Sequence, residues 1–421
     1  MKKLLNFSLA IIAVAFVACS YEDVALSTNE SPSNPYEVTP DEAVQLLKTV
    51  MGGESTRAIS VGEIKTLRKS DFVPTTRGAE DGDVIYIVDL ENGGSAVMGA
   101  DKRMEPIYAI LDETKISPEK LTLAATRSGD DTQDIEEYVM GLMNAKISSD
   151  FALVKPPLID TLPIPSLRSE YWLETTVLGQ VEPMLMTKWE QKSIYNDVIA
   201  MTTGNPDTPA GCAVIAISQI MAYHRMGIIG SNYNWNIINS FVPGYVNIAT
   251  EGEKTYMANY IYEVRCGITS SLTDGINIRE VRSFLRNDTN YYDNDIYDYS
   301  RARVVNMLEN DKPVYTRGEQ SGMNEGHAWV IDGYYQYRVD EWERSYMGEF
   351  IDEERIIATY NYDLLHCNYG WGGLCDGYYT QGTFDTTRRL ASNRIDTAIG
   401  DVGCEGDYNF TVDIQIIQYS K

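Results

Sequence analysis

The sequence predicts an α+β protein, with a small α+β domain followed by a larger one of two lobes around a cleft. Three observations carry this reading. The first 150 residues hold one strongly amphipathic helix and then alternating, strand-like segments. Four prolines (Pro156, Pro157, Pro163 and Pro165) then forbid regular structure. Beyond them, helical patterns gather early and strand patterns late, as in α+β folds.

The elements follow in chain order. Residues 1–18 read as a secretory signal, with Lys2 and Lys3 ahead of a short apolar run from Leu4 to Phe16. That run is too short for a comfortable membrane span. It ends Phe16-Val17-Ala18-Cys19, which resembles a bacterial lipoprotein cleavage site at which Cys19 is acylated. Phe16 stands where that pattern usually has leucine, and a plain secretory signal cut near Ala18 is the alternative. Glu22 and Asp23 resemble the surface-export tag of Bacteroides-type lipoproteins. The expected location is therefore the outer membrane or cell surface, with membrane contact only through lipidated Cys19.

Residues 19–38 are rich in Ser, Asn, Pro and Glu and read as a tether. A first domain spans 39–150. Thr39 caps its opening helix, Pro40 takes the first helical position, and Gly52-Gly53 ends it. Ala43, Leu46, Leu47, Val50 and Met51 form its apolar face. Residues 54–82 are polar and mixed. Strands follow at Val84–Leu90 and Ala96–Met98 across a Glu-Asn-Gly-Gly turn, and a helix at Asp134–Met143. Residues 151–170 form an exposed, cleavable linker.

Residues 171–421 form the second domain. Its helices are expected from Cys212 to about His224 and over 252–264, 277–287 and 300–309. Its strands are expected at Val314–Thr316, Ala328–Tyr335, Leu364–Tyr369, Tyr378–Thr380 and Phe410–Ile417.

Composition excludes some functions. A net charge of −26 over 421 residues argues against a nucleic-acid partner, because phosphate binding needs a basic surface. Beyond Cys19 the cysteines are Cys212, Cys266, Cys367, Cys375 and Cys404, an odd set that suggests one reactive thiol. If that thiol is Cys212, the other four form either two disulfides or four buried free thiols. No pair has the spacing of a zinc site, and no metal or organic cofactor is implied.

Cys212 sits in TPAGCAVIAISQIMAYH, at the first turn of a deeply apolar helix. A helix N-terminus stabilises a thiolate, the nucleophilic form. Taken alone it could equally be an inert core cysteine. His327, at the start of an apolar strand in GHAWVIDGY, would form the ion pair with Cys212 and protonate the leaving amine. Asn368, in HCNYGWGG, would orient that imidazole, and Trp371 would shield the hydrogen bond. Asp332 competes for the orienting role but, five residues along the strand, faces away from His327. The side chain of Gln191, with the Cys212 N–H, would hold an oxyanion. His224 lies about 18 Å along the helix from Cys212 and reads as a C-terminal cap. His366 reads as structural.

A cysteine, then a histidine, then an asparagine is the chain order of papain-type cysteine peptidases. Together the segments resemble the streptopain family of secreted bacterial peptidases. VEPMLMTKWEQKSIYN resembles its oxyanion-glutamine segment, GCAVIAISQIMAYH its nucleophile helix, and NYNWNII a short signature. KPVYTRG with GHAWVIDGY resembles its histidine strand, and HCNYGWGGLCDGYY its Asn/Trp segment. DVIYIVDLENGGSAVMGADKRMEPIYAI resembles its inhibitory prodomain.

The resemblance implies a papain-like fold and a zymogen whose own prodomain is an intramolecular inhibitor of an endopeptidase acting on proteins and peptides. The catalytic residues would be Cys212, His327, Asn368, Gln191 and Trp371. The chain departs from the family at Tyr369, where tryptophan is usual, in the helix sequence GCAVIA, and in the pocket loop SSLTDGIN. The family's preference for a hydrophobic residue before the one cleaved after is therefore not carried over. Two other functions were weighed: a papain-like peptidoglycan amidase, and a surface-exposed non-catalytic binding lipoprotein, for which 29 tyrosines would suit contacts.

Overall fold

Thr39 and Glu42 cap one another at the start of the chain's first helix. The Glu42 N–H donates to Thr39 Oγ1 at 3.3 Å, and the Thr39 N–H to Glu42 Oε2 at 2.7 Å. That helix, α1 (Pro40–Met51), buries Ala43, Leu46, Leu47 and Val50, the face expected of it. The computed structural model describes residues 36–51, 60–72, 82–91, 93–123, 135–153, 168–319, 326–347, 350–380 and 413–421. Residues 1–35 with Cys19, the Gly52-Gly53 stop, Cys404 and most of the linker lie outside the described residues.

After α1 come β1 (Val61–Arg68), α2 (Lys69–Phe72), β2 (Asp83–Leu90), β3 (Ser95–Gly99), β4 (Ile107–Leu111), α3 (Pro118–Leu123) and α4 (Ile135–Leu153). β2 and β3 match expectation to within a residue or two. β1 was hidden in the polar stretch 54–82, because its burial is partial along most of its length. α4 continues ten residues past Met143 through a polar run held by a buried cluster. Lys146 Nζ meets both Asp150 oxygens at 2.6 Å, and Tyr108 donates to Asp150 Oδ2 at 2.8 Å.

The remaining elements are β5 (Arg168–Val181), α5 (Asp197–Thr203), α6 (Cys212–His224), α7 (Trp235–Ile238), α8 (Glu251–Ile268), α9 (Ile278–Asp288), β6 (Tyr292–Asp298), α10 (Arg301–Glu309), β7 (Val314–Glu319), β8 (Gly326–Met347), β9 (Phe350–Asn368), β10 (Gly377–Thr380) and β11 (Asp413–Ser420). α6, α9 and α10 fall where the sequence placed them. β5 opens at Arg168, inside the expected linker.

One antiparallel sheet runs through Tyr36–Lys421 in the order β1-β2-β3-β4-β10-β9-β8-β7-β11-β6, with β5 beside β8. β4 pairs with β10 through Leu111↔Gly377, Ile110↔Tyr378 and Ala109↔Tyr379, so the strands from β1 to β4 share one sheet with the later strands. α6 packs on this sheet and is buried over ten of its thirteen residues, Ala213 to Ala222. A helix that apolar can only sit inside a core.

β8 and β9 are far longer than their predicted cores. Beyond residue 338 they form a ribbon with β5, whose Trp172 stacks on Trp342 at 5.8 Å. Most of β9's outer half is exposed or half-buried and strongly charged, so no apolar alternation marks it as strand.

Candidate active site

Gly211 sets the start of α6. Its φ of +98° is closed to most side chains, and a Cβ there would lie 2.8 Å from Arg265 Nη1. Glycine at this position is a requirement of the backbone. Arg265 donates to the Ala210 carbonyl at 2.9 Å and so fixes the approach to Cys212.

Cys212 is half-buried at the first helical position. Burial pushes its thiol up. A hydrogen bond with His327 and that ring's charge, with the N–H groups of Ala328 and Ala213, outweigh burial and bring it down to about 7. Cys367, by contrast, is pushed well up by burial and by Asp332 and Asp376.

His327 opens β8 and is 6% exposed. Its Nε2 lies 3.0 Å from the carbonyl oxygen of Tyr369. A carbonyl only accepts, so Nε2 carries the hydrogen and Nδ1 is left to exchange a proton with the thiol. The ring also stacks on Tyr369 at 6.0 Å and on Trp329 at 6.4 Å.

The orienting contact therefore differs from expectation. Asn368 is not the partner seen at His327 Nε2; its carboxamide is committed elsewhere. Asn368 Nδ2 donates to the Thr187 carbonyl at 2.8 Å, and Oδ1 accepts from Gln219 Nε2 at 3.0 Å and the Gly370 N–H at 3.2 Å. Gln219 in turn accepts from Thr187 Oγ1 at 2.8 Å. The reason is pairing: Asn368 stands opposite Val330, whereas His327 stands opposite Gly318, so the two side chains are on alternate faces. Tyr369 follows β9 directly and acts through its backbone carbonyl, so no side-chain identity in the sequence signals it.

This network clamps the segment bearing Gln191. Met184 and Leu185 donate to Asp332, Trp189 accepts from Gly372, and the Gln191 carbonyl accepts from Ala210 at 2.7 Å. Gln191 is thereby held, 8% exposed, beside the approach to Cys212. Trp371 is half-buried in the loop after Asn368, and its indole N–H has no partner among the described residues. Gly370 before it has φ +70°, and a Cβ would lie 2.9 Å from Ile215 of α6.

Two other histidines resolve differently. Asp332 is turned away from His327, as expected, and holds His366 Nδ1 at 2.6 Å. Burial lowers the His366 ring's pKa, but Asp332 and Asp112 raise it to about 10, so it is a buried cation. Asp112, directly after β4, meets His366 Nε2 at 3.4 Å. His224 is not a cationic cap: burial and the nearby Lys421 lower it to about 4, and its Nε2 meets the Tyr419 hydroxyl at 3.1 Å. Arg225, in the left-handed region, caps α6 instead.

Cys266, Cys367 and Cys375 carry free thiols, which corrects the disulfide alternative for these three; Cys266 is exposed and the other two buried. Among the described residues no cluster of His, Cys, Asp or Glu could hold a metal ion.

A nucleophilic thiol, an imidazole of fixed tautomer and an amide held beside the helix start make up the working end of a cysteine peptidase. A model of the Peptidase C10 family matches residues 189–262 and 230–379, a stretch that includes every side chain of this constellation. Streptopain of Streptococcus pyogenes is 22% identical over 361 residues, covering 72% of this chain and 75% of its own, and streptopain of serotype M1 matches to the same extent. A solved fragment of Prevotella intermedia prointerpain A is 15% identical, covers 84% of this chain and 98% of that fragment, and superposes loosely, with a TM-score of 0.47. Over these matches the chain resembles the streptopain family of cysteine peptidases. The family match makes it a cysteine-type peptidase.

Proposed function

We propose that the chain is an exported endopeptidase zymogen in which Cys212 is the nucleophile and His327 the acid and base. The observation that carries this is the Cys212 thiol, drawn down to about 7 against its own burial by an imidazole whose Nε2–H is spent on Tyr369. The thiolate attacks a peptide carbonyl, and its electron pair forms the C–S bond while the carbonyl oxygen takes the charge. The Cys212 N–H, free at the helix start, and the Gln191 amide stabilise that oxyanion. His327 Nδ1–H protonates the leaving amine, and the C–N bond breaks. Water, deprotonated by the same nitrogen, then hydrolyses the thioester and returns the thiolate. Tyr369 takes the orienting role first assigned to Asn368. Asn368 keeps the segments carrying Gln191 and Trp371 in place.

The prodomain region, 39–150 in this reading, inhibits until the chain is cut within 151–170. Its contacts support the reading. Asp112 and Glu113 meet Lys188 at 3.9 and 3.1 Å, and Thr114 Oγ1 accepts from the Cys375 N–H at 2.8 Å. These contacts bear on the two segments that carry Gln191 and Trp371. The signal peptide and lipidation of Cys19 would place the zymogen on the cell surface, and cutting the linker would free the peptidase from its anchor.

The test is a time course of residues 20–421 under mild reduction with casein present, wild type against Cys212→Ala, read by intact mass. Wild type should trim itself to a fragment beginning between about residues 145 and 175 while casein disappears, and Cys212→Ala should do neither. Casein loss at equal rates in both would end the assignment of Cys212.

A further inference from the structure

β9 ends at Asn368, whose pairing with Val330 is its last rung with β8. Tyr369, whose carbonyl holds His327 Nε2 at 3.0 Å, comes one residue later. Where that ladder stops, the side chain of Asp376 takes over: its Oδ1 accepts from the Tyr369 N–H at 2.8 Å. We propose that Asp376 is a positioning residue for the peptidase reaction, acting through the Tyr369 backbone to hold the His327 ring toward Cys212. The proposal rests on the reading of Cys212 and His327 as nucleophile and acid–base, and deepens it.

Two peptide planes meet at Tyr369, and rotation about either bond at its α-carbon swings the carbonyl oxygen. The plane before it carries the N–H that Asp376 takes. The plane after it carries the Gly370 N–H, which goes to Asn368 Oδ1 at 3.2 Å, a longer bond to an oxygen that Gln219 also uses. A carboxylate at the shorter distance is the stronger anchor.

The loop between Tyr369 and Asp376 needs one. Gly370, Gly372 and Gly373 have φ of +70°, +68° and +94°. Cys375 has +63°, a conformation that a residue other than glycine adopts only where its surroundings enforce it. Asp376 closes this turn by bonding back across seven residues. Its own N–H returns to the Gly373 carbonyl at 3.2 Å, and its carbonyl accepts from the Asp112 N–H at 3.0 Å, so the carboxylate is itself aimed. At 1% exposure it is shielded from competing water.

A buried carboxylate keeps its charge only with support. The His366 cation and Lys188 supply positive field at Asp376, Asp332 supplies negative, and Cys367 and Tyr379 lie within the field of Asp376 itself. Burial raises the Asp376 carboxyl to about 7, with Asp332 adding to the rise and the Tyr369 N–H, His366 and Lys188 opposing it. The charged form accepts more strongly than the neutral acid, so the anchor tightens as pH rises through that value and slackens as pH falls. The Cys212 thiol ionises in the same range. Two groups must therefore lose a proton before the site is fully assembled.

The experiment compares wild type, Asp376→Ala and Asp376→Asn, each as the full chain and after conversion. Iodoacetamide labelling of Cys212 across pH 5–10, read by peptide mass on the full chain, reports the His327 contact without turnover. In Asp376→Ala the midpoint should rise by about one pH unit. On an internally quenched peptide its kcat should fall about ten- to hundredfold with KM changed less than about twofold, because a misplaced acid–base is felt in the transition state. Asparagine keeps an acceptor for the Tyr369 N–H and removes the charge. Asp376→Asn should therefore keep kcat at pH 8 within about threefold of wild type. The acid limb of log kcat/KM should have a slope approaching about two in wild type and about one in Asp376→Asn. An unmoved Cys212 midpoint and kcat in folded Asp376→Ala overturns the proposal, as does an Asp376→Asn variant no faster than Asp376→Ala. Should Asp376→Ala fail to fold, Asp376→Asn decides alone, and an acid limb as steep as that of wild type overturns the proposal. Failure of wild type to cleave any peptide is a different result: it removes the peptidase reading, while the labelling midpoint still supports or overturns the hold of Asp376 on the His327 ring.

Discussion

Replacing His327 with alanine should move the titration of Cys212. In the intact protein the thiol sits at about 7, some two pH units below its ordinary value of 9.0. That gap is about 2.7 kcal/mol of preference for the thiolate. In His327→Ala the ring's hydrogen bond and charge vanish while burial stays, so half-ionisation should lie at or above pH 9. At pH 7 the thiolate fraction then falls from about one half to about one in a hundred. The observed rate falls less, because a low-pKa thiolate is intrinsically slower by about six- to tenfold over two units. The net expectation at pH 7 is therefore a five- to eightfold drop, with a midpoint displaced by at least two pH units. Iodoacetamide labelling of Cys212 across pH 5–10, read by peptide mass so that exposed Cys266 is counted separately, measures both. A variant that still ionises near pH 7 would mean that the helix terminus alone activates the thiol, and the ion-pair argument would fail.

Three further outcomes are expected. Asn368→Ala should lower stability by about 2–4 kcal/mol, because Gln219, Thr187 and Gly370 each lose a buried partner, yet leave the Cys212 midpoint near 7; urea titration and the same labelling separate the two. A midpoint that moved with Asn368 would restore it as the orienting residue. Gly211→Ala should cost about 1–3 kcal/mol through its positive φ and the approach to Arg265, seen as a lower urea midpoint. The His366 pKa is raised from 6.5 to about 10, so its contribution is complete below pH 6.5 and is lost as pH rises through 10. Accordingly, the melting-temperature gap between the wild-type chain and His366→Gln should narrow from about pH 6.5 to about pH 10, and a constant gap across that range would refute the raised value.

The parts of the molecule that were legible in the sequence are those where one physical demand dominates. A helix as apolar as α6 must be buried, a thiol at its start is activated by position, and Thr39-Pro40 marks a helix start. These features located α1, α6 and the Cys212 and His327 positions to the residue. Less legible were elements whose partners are remote. β1 and the outer halves of β8 and β9 are charged ribbons stabilised by ladder pairing, and a local window sees only polarity. The orienting contact was missed for a related reason. Tyr369 acts through its backbone carbonyl, which no side-chain identity reports, whereas Asn368 advertises a function its face of the strand does not allow. The His366–Asp332–Asp112 cluster joins residues far apart in the chain, and the sequence holds no sign of that meeting.

The shared sheet has a mechanical corollary. Because β4 is stitched to β10 by backbone hydrogen bonds, severing the chain anywhere in 154–167 breaks no rung of the ladder. On the proposed maturation, scission and departure would be separate events, each with its own rate. A cut molecule persists as a two-piece complex until the rungs from 109–111 to 377–379 unzip. When they do, β10 becomes a raw edge only four residues long, the kind of short edge that resists pairing with a neighbouring molecule. On the proposed maturation, a freed peptidase would shed its partner without becoming prone to stack on itself.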